Sequence, residues 1–203
     1  MIFRKKLSII LLSLVVVVVL SSWLAFRNLA MWLVVSDPPP QSLDAIFTFA
    51  GDIHRINYSK ELFKRYPQAQ WLISYPSKKI AGPLKRDGFD TSRIAIVDTC
   101  KNTNAEVWYI TDWARHTVAA DKRFSRARPL SVGLVSTPYH MRRIRMEVTR
   151  SGKDDARVYY YLPVPSEDYG LTKNDYKTWW KNGQLKSSVW LEFKKYTYYF
   201  WKS

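Results

Sequence analysis

The chain has 203 residues, enough for one domain and an appendage, and carries 32 Lys and Arg against 17 Asp and Glu, a net charge of +15. A single cysteine, Cys100, excludes an internal disulfide in a monomer and fits a bacterial envelope better than a disulfide-rich secreted eukaryotic domain. So basic a chain ordinarily suggests nucleic acid, but the topology read below puts the domain where nucleic acid is scarce. Membrane lipids, phosphorylated lipid carriers and acidic envelope polymers are the partners that fit, the alternative being a solvated basic surface with no specific ligand.

From Leu7 to Phe26 the chain is uncharged and almost wholly apolar. Twenty residues at 1.5 Å each span about 30 Å, the thickness of a bilayer's hydrocarbon core. Arg4, Lys5 and Lys6 precede this run and only Arg27 follows it closely, so residues 1–6 are expected to stay in the cytoplasm and the rest to cross the membrane. The alternative is a cleaved signal peptide, but its apolar region is normally about 7–15 residues. Trp23, Phe26 and Arg27 also interrupt the small residues a cleavage site needs. Residues 27–43 read as a juxtamembrane linker. Leu29 to Val35 is too short to span and is expected on the outer interface, and Pro38-Pro39-Pro40 stiffens the exit.

Residues 44–203 then alternate short apolar runs with longer amphipathic ones. Strands are expected at 45–50, 71–74, 94–97, 130–135 and 158–162. Helices are expected from Asn57 to Tyr66, around Pro83 to Asp87, from a cap at Asn102 or Thr103 to about Ala120, and from Pro138 onward. A last pair runs from Asn174, broken at Asn182-Gly183. Strands alternating with helices predict an α/β fold, a doubly wound, mainly parallel, five-stranded sheet in three Rossmann-like layers behind one transmembrane helix. In such sheets ligands bind outside the carboxyl ends of the strands, where strand order reverses.

Three polar segments follow strands and are therefore expected to share one crevice. Gly51-Asp52-Ile53-His54-Arg55 offers a close backbone approach at Gly51 and a planar fork at Arg55, although one glycine is not a dinucleotide fingerprint. Asp98 to Glu106 runs into a helix start, whose free N–H groups favour anions, with Asn102 and Thr103 as binders or merely as caps. Ser136-Thr137-Pro138-Tyr139-His140-Met141-Arg142-Arg143 adds a hydroxyl, a histidine and two arginines. Successive helical positions diverge by about 100°, so Arg143 is expected to face the crevice while Arg142 and Arg145 face solvent.

The last segment resembles the S-x-x-H-x-x-R signature of the YdcF/SanA/ElyC-like family, a domain of unknown function. Lys101-Asn102-Thr103 resembles the middle of that family's S-R-N-T-x-E-N segment, and Gly51-Asp52 with Arg55 its first glycine loop. The likeness covers roughly residues 43–165. It departs at Cys100, where the family has serine, at Ala105, where it has glutamate, at Glu106, where it has asparagine, and at Ala50, where a second glycine is common. The resemblance implies an α/β envelope-maintenance domain, often anchored by one N-terminal helix and linked to peptidoglycan precursor supply or lipid-carrier metabolism. S-adenosylmethionine, which one cytosolic relative binds, has no motif of its own here, and the cofactor stays unknown.

These readings converge on an anionic, phosphorylated ligand, free or lipid-linked, bound by Gly51, Arg55, Asn102, Thr103, Ser136 and Arg143. If the protein is an enzyme, hydrolysis or transfer at a phosphate or glycosyl group is the expected class, with His140 and Asp52 as catalytic candidates. An imidazole titrating near neutrality suits general acid–base work. The competing class is a non-catalytic binding or scaffold protein. A metal would have to draw on Asp52, Asp98 and His140, which sit on three separate loops.

Overall fold

The computed structural model describes residues 2–98, 100–152 and 155–202, with side chains from Ile10 onward except at residues 77 and 78. The side chains of Arg4, Lys5 and Lys6, on which the topology reading rests, and Thr99 lie outside that range.

Helix α1 is one continuous element, Ile2–Leu33, about 48 Å long at 1.5 Å per residue, and its stretch Ile10–Leu33 is long and apolar enough to cross a membrane. There is no break at Phe26. The helix runs on past Phe26, and part of the apolar patch after it packs on the domain. Ala30 and Leu33 are fully buried against Tyr176, Trp179, Leu185 and Val189, and Val35 enters the core of the sheet. The linker that follows is also tied down. Asp37 exchanges backbone hydrogen bonds with Tyr161, donating N–H to its carbonyl and accepting its N–H on the carboxylate, and the Tyr66 hydroxyl donates to the Pro40 carbonyl.

The domain then reads β1 (Ala45–Thr48), α2 (Ile53–Arg65), β2 (Gln70–Ser74), α3 (Ser77–Arg86), β3 (Ile94–Val97), α4 (Thr103–Ala120), β4 (Leu130–Ser136), α5 (Met141–Arg150), β5 (Arg157–Pro163), α6 (Lys173–Lys177) and α7 (Gly183–Trp201). The five strands form one all-parallel sheet in the order β3-β2-β1-β4-β5, as the alternation of elements predicted. Strand order reverses between β1 and β4, where Thr48 pairs with Val135, and that reversal fixes the edge at which to look for a site.

Alternation along the strands divides the core in two. Phe47, Leu72, Val132 and Leu134 face α4 and α5, meeting Val107, Ile110 and Ile144. Ile46, Trp71, Ile73 and Val135 face α2 and α3, meeting Ile56, Phe63, Ile80 and Leu84. Two helices begin earlier than expected. Asp52 caps α2 by accepting the Arg55 N–H, which starts that helix at Ile53 instead of Asn57. α3 starts at Ser77, with Pro83 inside it. The helix after β4 begins as a 3-10 turn over Pro138–His140 before α5 proper.

Candidate functional site

The ends of β1, β2 and β4, the start of α4 and the first turn of α5 meet at the carboxyl edge of the sheet. Arg55, on the first turn of α2, folds back over Gly51 to fill the space between β1 and β4. Its guanidinium donates to the Phe49 carbonyl at 3.4 Å, to the Ala50 carbonyl, and to the Thr137 hydroxyl at 3.3 Å. A Cβ on Gly51 would run into that guanidinium, so a larger residue there would have to displace the Arg55 head. Among the described residues, the buried Arg55 Nε and Ser136 Oγ have no hydrogen-bond partner, although Arg55 Nε lies 3.9 Å from the Asp52 carboxylate.

His140 sits inside the protein among partners from three elements. Its Nε2 lies 3.1 Å from the Thr103 hydroxyl, and its Nδ1 lies 3.0 Å from both Arg143 Nη2 and Glu192 Oε2. Arg143 in turn donates from Nε to Glu192 at 2.9 Å. Burial pushes the His140 pKa down to about 4, despite the pull of Glu192 toward the charged form, so the ring is neutral near pH 7. Both neutral tautomers are fully paired: Nδ1–H donating to Glu192 while Nε2 accepts from Thr103, or Nε2–H donating to Thr103 while Nδ1 accepts from Arg143. Burial opposes ionisation of Glu192, but the hydrogen bonds and charges of His140 and Arg143 outweigh it and hold the carboxyl well below its usual range.

Glu106 is the second buried carboxyl at this edge. It accepts the Ala50 N–H at 2.6 Å and a hydrogen bond from Ser74 at the end of β2, which also bonds the Cys100 thiol. Burial raises the Glu106 pKa against the lowering effect of those hydrogen bonds and of Arg55 and Arg143. Burial likewise raises that of Cys100.

The remaining expected residues take more local positions. Asn102 caps α4, accepting the Ala105 N–H at 3.0 Å. Asp52, besides capping α2, accepts the Tyr169 hydroxyl at 3.1 Å, a partner from beyond β5. Arg143 points inward and Arg142 outward, as helix geometry predicted, but Arg142 is no solvated side chain. It donates to the Trp32 carbonyl at 2.8 Å and lies 4.7 Å over the Trp32 ring, clamping α5 to the end of α1. Arg145 is exposed, as expected, with its guanidinium 5.9 Å from the Tyr161 ring. Among the described residues no group of three or more His, Cys, Asp and Glu comes together to hold a metal, and Asp52, Asp98 and His140 do not converge as a ligand set.

Glu192, 49 residues beyond Arg143 on the last helix, carries no motif that marks it as a site residue. Glu106, one position after the resembled family's glutamate, reads in the sequence only as a departure from that family's pattern. A carboxyl following Asn102 by four positions, on a helix face otherwise carrying Val107, Ile110 and Ala114 into the core, was the available signal. A groove of about 530 Å³ between α4, α5 and the end of α7 is lined by Asn102, Asn104, Glu147, Arg150, Tyr199 and Lys202, and of the expected site residues it takes in Asn102 alone.

Comparison with protein-family profiles, with curated proteins and with solved structures finds no match to this chain.

Proposed function

We propose that this is a single-pass protein of the bacterial inner membrane, similar to the YdcF/SanA/ElyC-like family. Its periplasmic domain binds an anionic, phosphorylated and lipid-linked envelope ligand at the β1–β4 edge and serves envelope maintenance. The observation that carries the reading is the packing of the end of α1 on the 3-10 turn Pro138–His140 and on α5, through Arg142 and Trp32. The site wall is thereby built onto the outer end of the anchor, within reach of a ligand still held in the bilayer. Two buried arginines, Arg55 and Arg143, and the Ser136 hydroxyl, which has no hydrogen-bond partner among the described residues, supply donors of the kind a phosphoryl group uses. Arg150 and Lys202 line the groove that Asn102 borders.

The test is binding of a polyprenyl phosphate to the full chain in nanodiscs, with the matching polyprenol as control. The phosphate should be preferred, and Arg55→Ala should cost roughly ten- to a hundred-fold in affinity, the worth of one charged hydrogen bond. Equal affinity for the alcohol would remove the reading.

A second reading, a non-catalytic scaffold or binding protein, is favoured by the engagement of both His140 nitrogens within the fold. In a hydrolase or transferase built on this edge the proton carrier would be Glu106, whose raised pKa suits general acid work. Glu106→Gln distinguishes the two, since an enzyme would lose about 10²–10⁴-fold in turnover with binding retained.

A further inference from the structure

The C-terminal thirty residues hold a surface that the site does not use. Trp179 is fully buried and donates from its indole nitrogen to the Phe26 carbonyl at 3.0 Å. Around that bond the rings form a collar on α1. Phe26 lies 4.9 Å from Trp179, 5.4 Å from Trp180 and 6.4 Å from Trp190, and Trp23 lies 5.6 Å from Trp180. These contacts fix the collar at one height along α1. An apolar span that begins at Leu7 reaches the far side of a hydrocarbon core about 30 Å thick at that same height.

The outer side of the collar is uncovered. Trp23 is 50% exposed, Trp190 37% and Leu191 52%, an apolar surface continuous with the lipid-facing side of α1. Lys173, Lys177, Lys181 and Lys186 are all exposed in the same stretch, against the single acid Asp175. Indoles that are apolar in body and polar at one edge, flanked by lysines, match the headgroup layer in both polarity and sign.

We infer that the segment Lys173–Leu191 is a membrane seat that docks the domain onto anionic lipid headgroups. The domain is thus held flat against the bilayer instead of swinging on a tether. The inference rests on α1 being a membrane anchor, so the experiment reads anchor and seat separately. In a Cys100→Ser background, single cysteines replace Ser187 on the collar side, Val16 within the span and Arg126 in a remote loop. Each carries an environment-sensitive fluorophore in the full chain, reconstituted into phosphatidylethanolamine–phosphatidylglycerol vesicles with nitroxide lipids labelled at the headgroup or in the acyl chain.

The label at Val16 should be quenched from the acyl chain. The label at Ser187 should be quenched from the headgroup several-fold more than that at Arg126. Lys177→Gln, Lys181→Gln and Lys186→Gln together should weaken the Ser187 signal and leave the Val16 signal unchanged. Quenching at Val16 with Ser187 no more quenched than Arg126 would overturn the seat and spare the anchor. Absence of quenching at Val16 would remove both. Energy transfer between Ser187 labels on different molecules, without headgroup quenching, would assign the collar to a second copy and also overturn the proposal. Gln184→Cys repeats the measurement if Ser187→Cys folds poorly.

Discussion

At the scale of single residues, the centre of the site is an ion pair around a neutral ring. Glu192 accepts from Arg143 while lying 3.0 Å from His140, and all three side chains are buried. Removing one member of such a pair leaves the other charge in a low-dielectric interior. Arg143→Ala should therefore destabilise the full chain by about 3–5 kcal/mol in thermal unfolding in detergent, and adding Glu192→Gln should recover part of that loss. Arg142→Ala, which loses an exposed hydrogen bond and a ring contact, should cost about 1 kcal/mol or less.

The pH dependence follows from His140. An unfolded histidine titrates near 6.5 and the buried ring near 4, so between those values the unfolded state binds the extra proton and the native state does not. Stability is accordingly present above pH 6.5 and lost as pH falls toward 4. His140→Asn should flatten that limb of the stability–pH curve. Glu106 works the other way, since a raised carboxyl pKa makes the native state the better proton binder, and its contribution falls as pH rises through the folded value.

At the scale of elements, the last turns of α1 behave as part of the domain. Ala30 and Leu33 lie in one cluster with Trp179 and Leu185, Trp32 meets Tyr196 edge-on at 4.9 Å, and Arg142 grips the Trp32 carbonyl. A chain beginning at Asp44, where the strands start, exposes Trp179 and Val189 and loses these contacts. It should unfold several kcal/mol more readily than a chain beginning at Trp23, the order expected for deleting large buried side chains. Equal melting temperatures for the two chains would show that α1 only tethers.

At the scale of the whole molecule, the polarity of the charge flanking the apolar run predicts the side on which the domain lies. A periplasm-active reporter fused after Ser203 should be active, and a reporter that works only in the cytoplasm should be silent there. Recovery of a soluble periplasmic form beginning beyond Ala25 would replace the anchor by a cleaved signal.

The layered fold was legible in the chain because it depends on local periodicity. Apolar runs such as Ile46-Phe47 and Val132 to Val135, separated by amphipathic stretches, leave a parallel sheet as the way to bury both faces, and that sheet directs polar loops such as 51–55 and 136–143 to one edge. The inward turn of Arg143 was legible for the same reason, being a matter of helical phase. The partner of Arg143 was not, because Glu192 reaches it from 49 residues away and no periodicity carries that information. Nor was the use of Arg55, since a guanidinium next to a glycine loop reads equally as a fork for a ligand or a brace for Phe49 and Ala50 until the backbone carbonyls are placed. What the apolar patch after Phe26 touches was not legible for a related reason. Hydropathy registers only that Leu29 to Val35 is apolar, whereas whether those residues meet lipid, water or Trp179 is decided by tertiary packing.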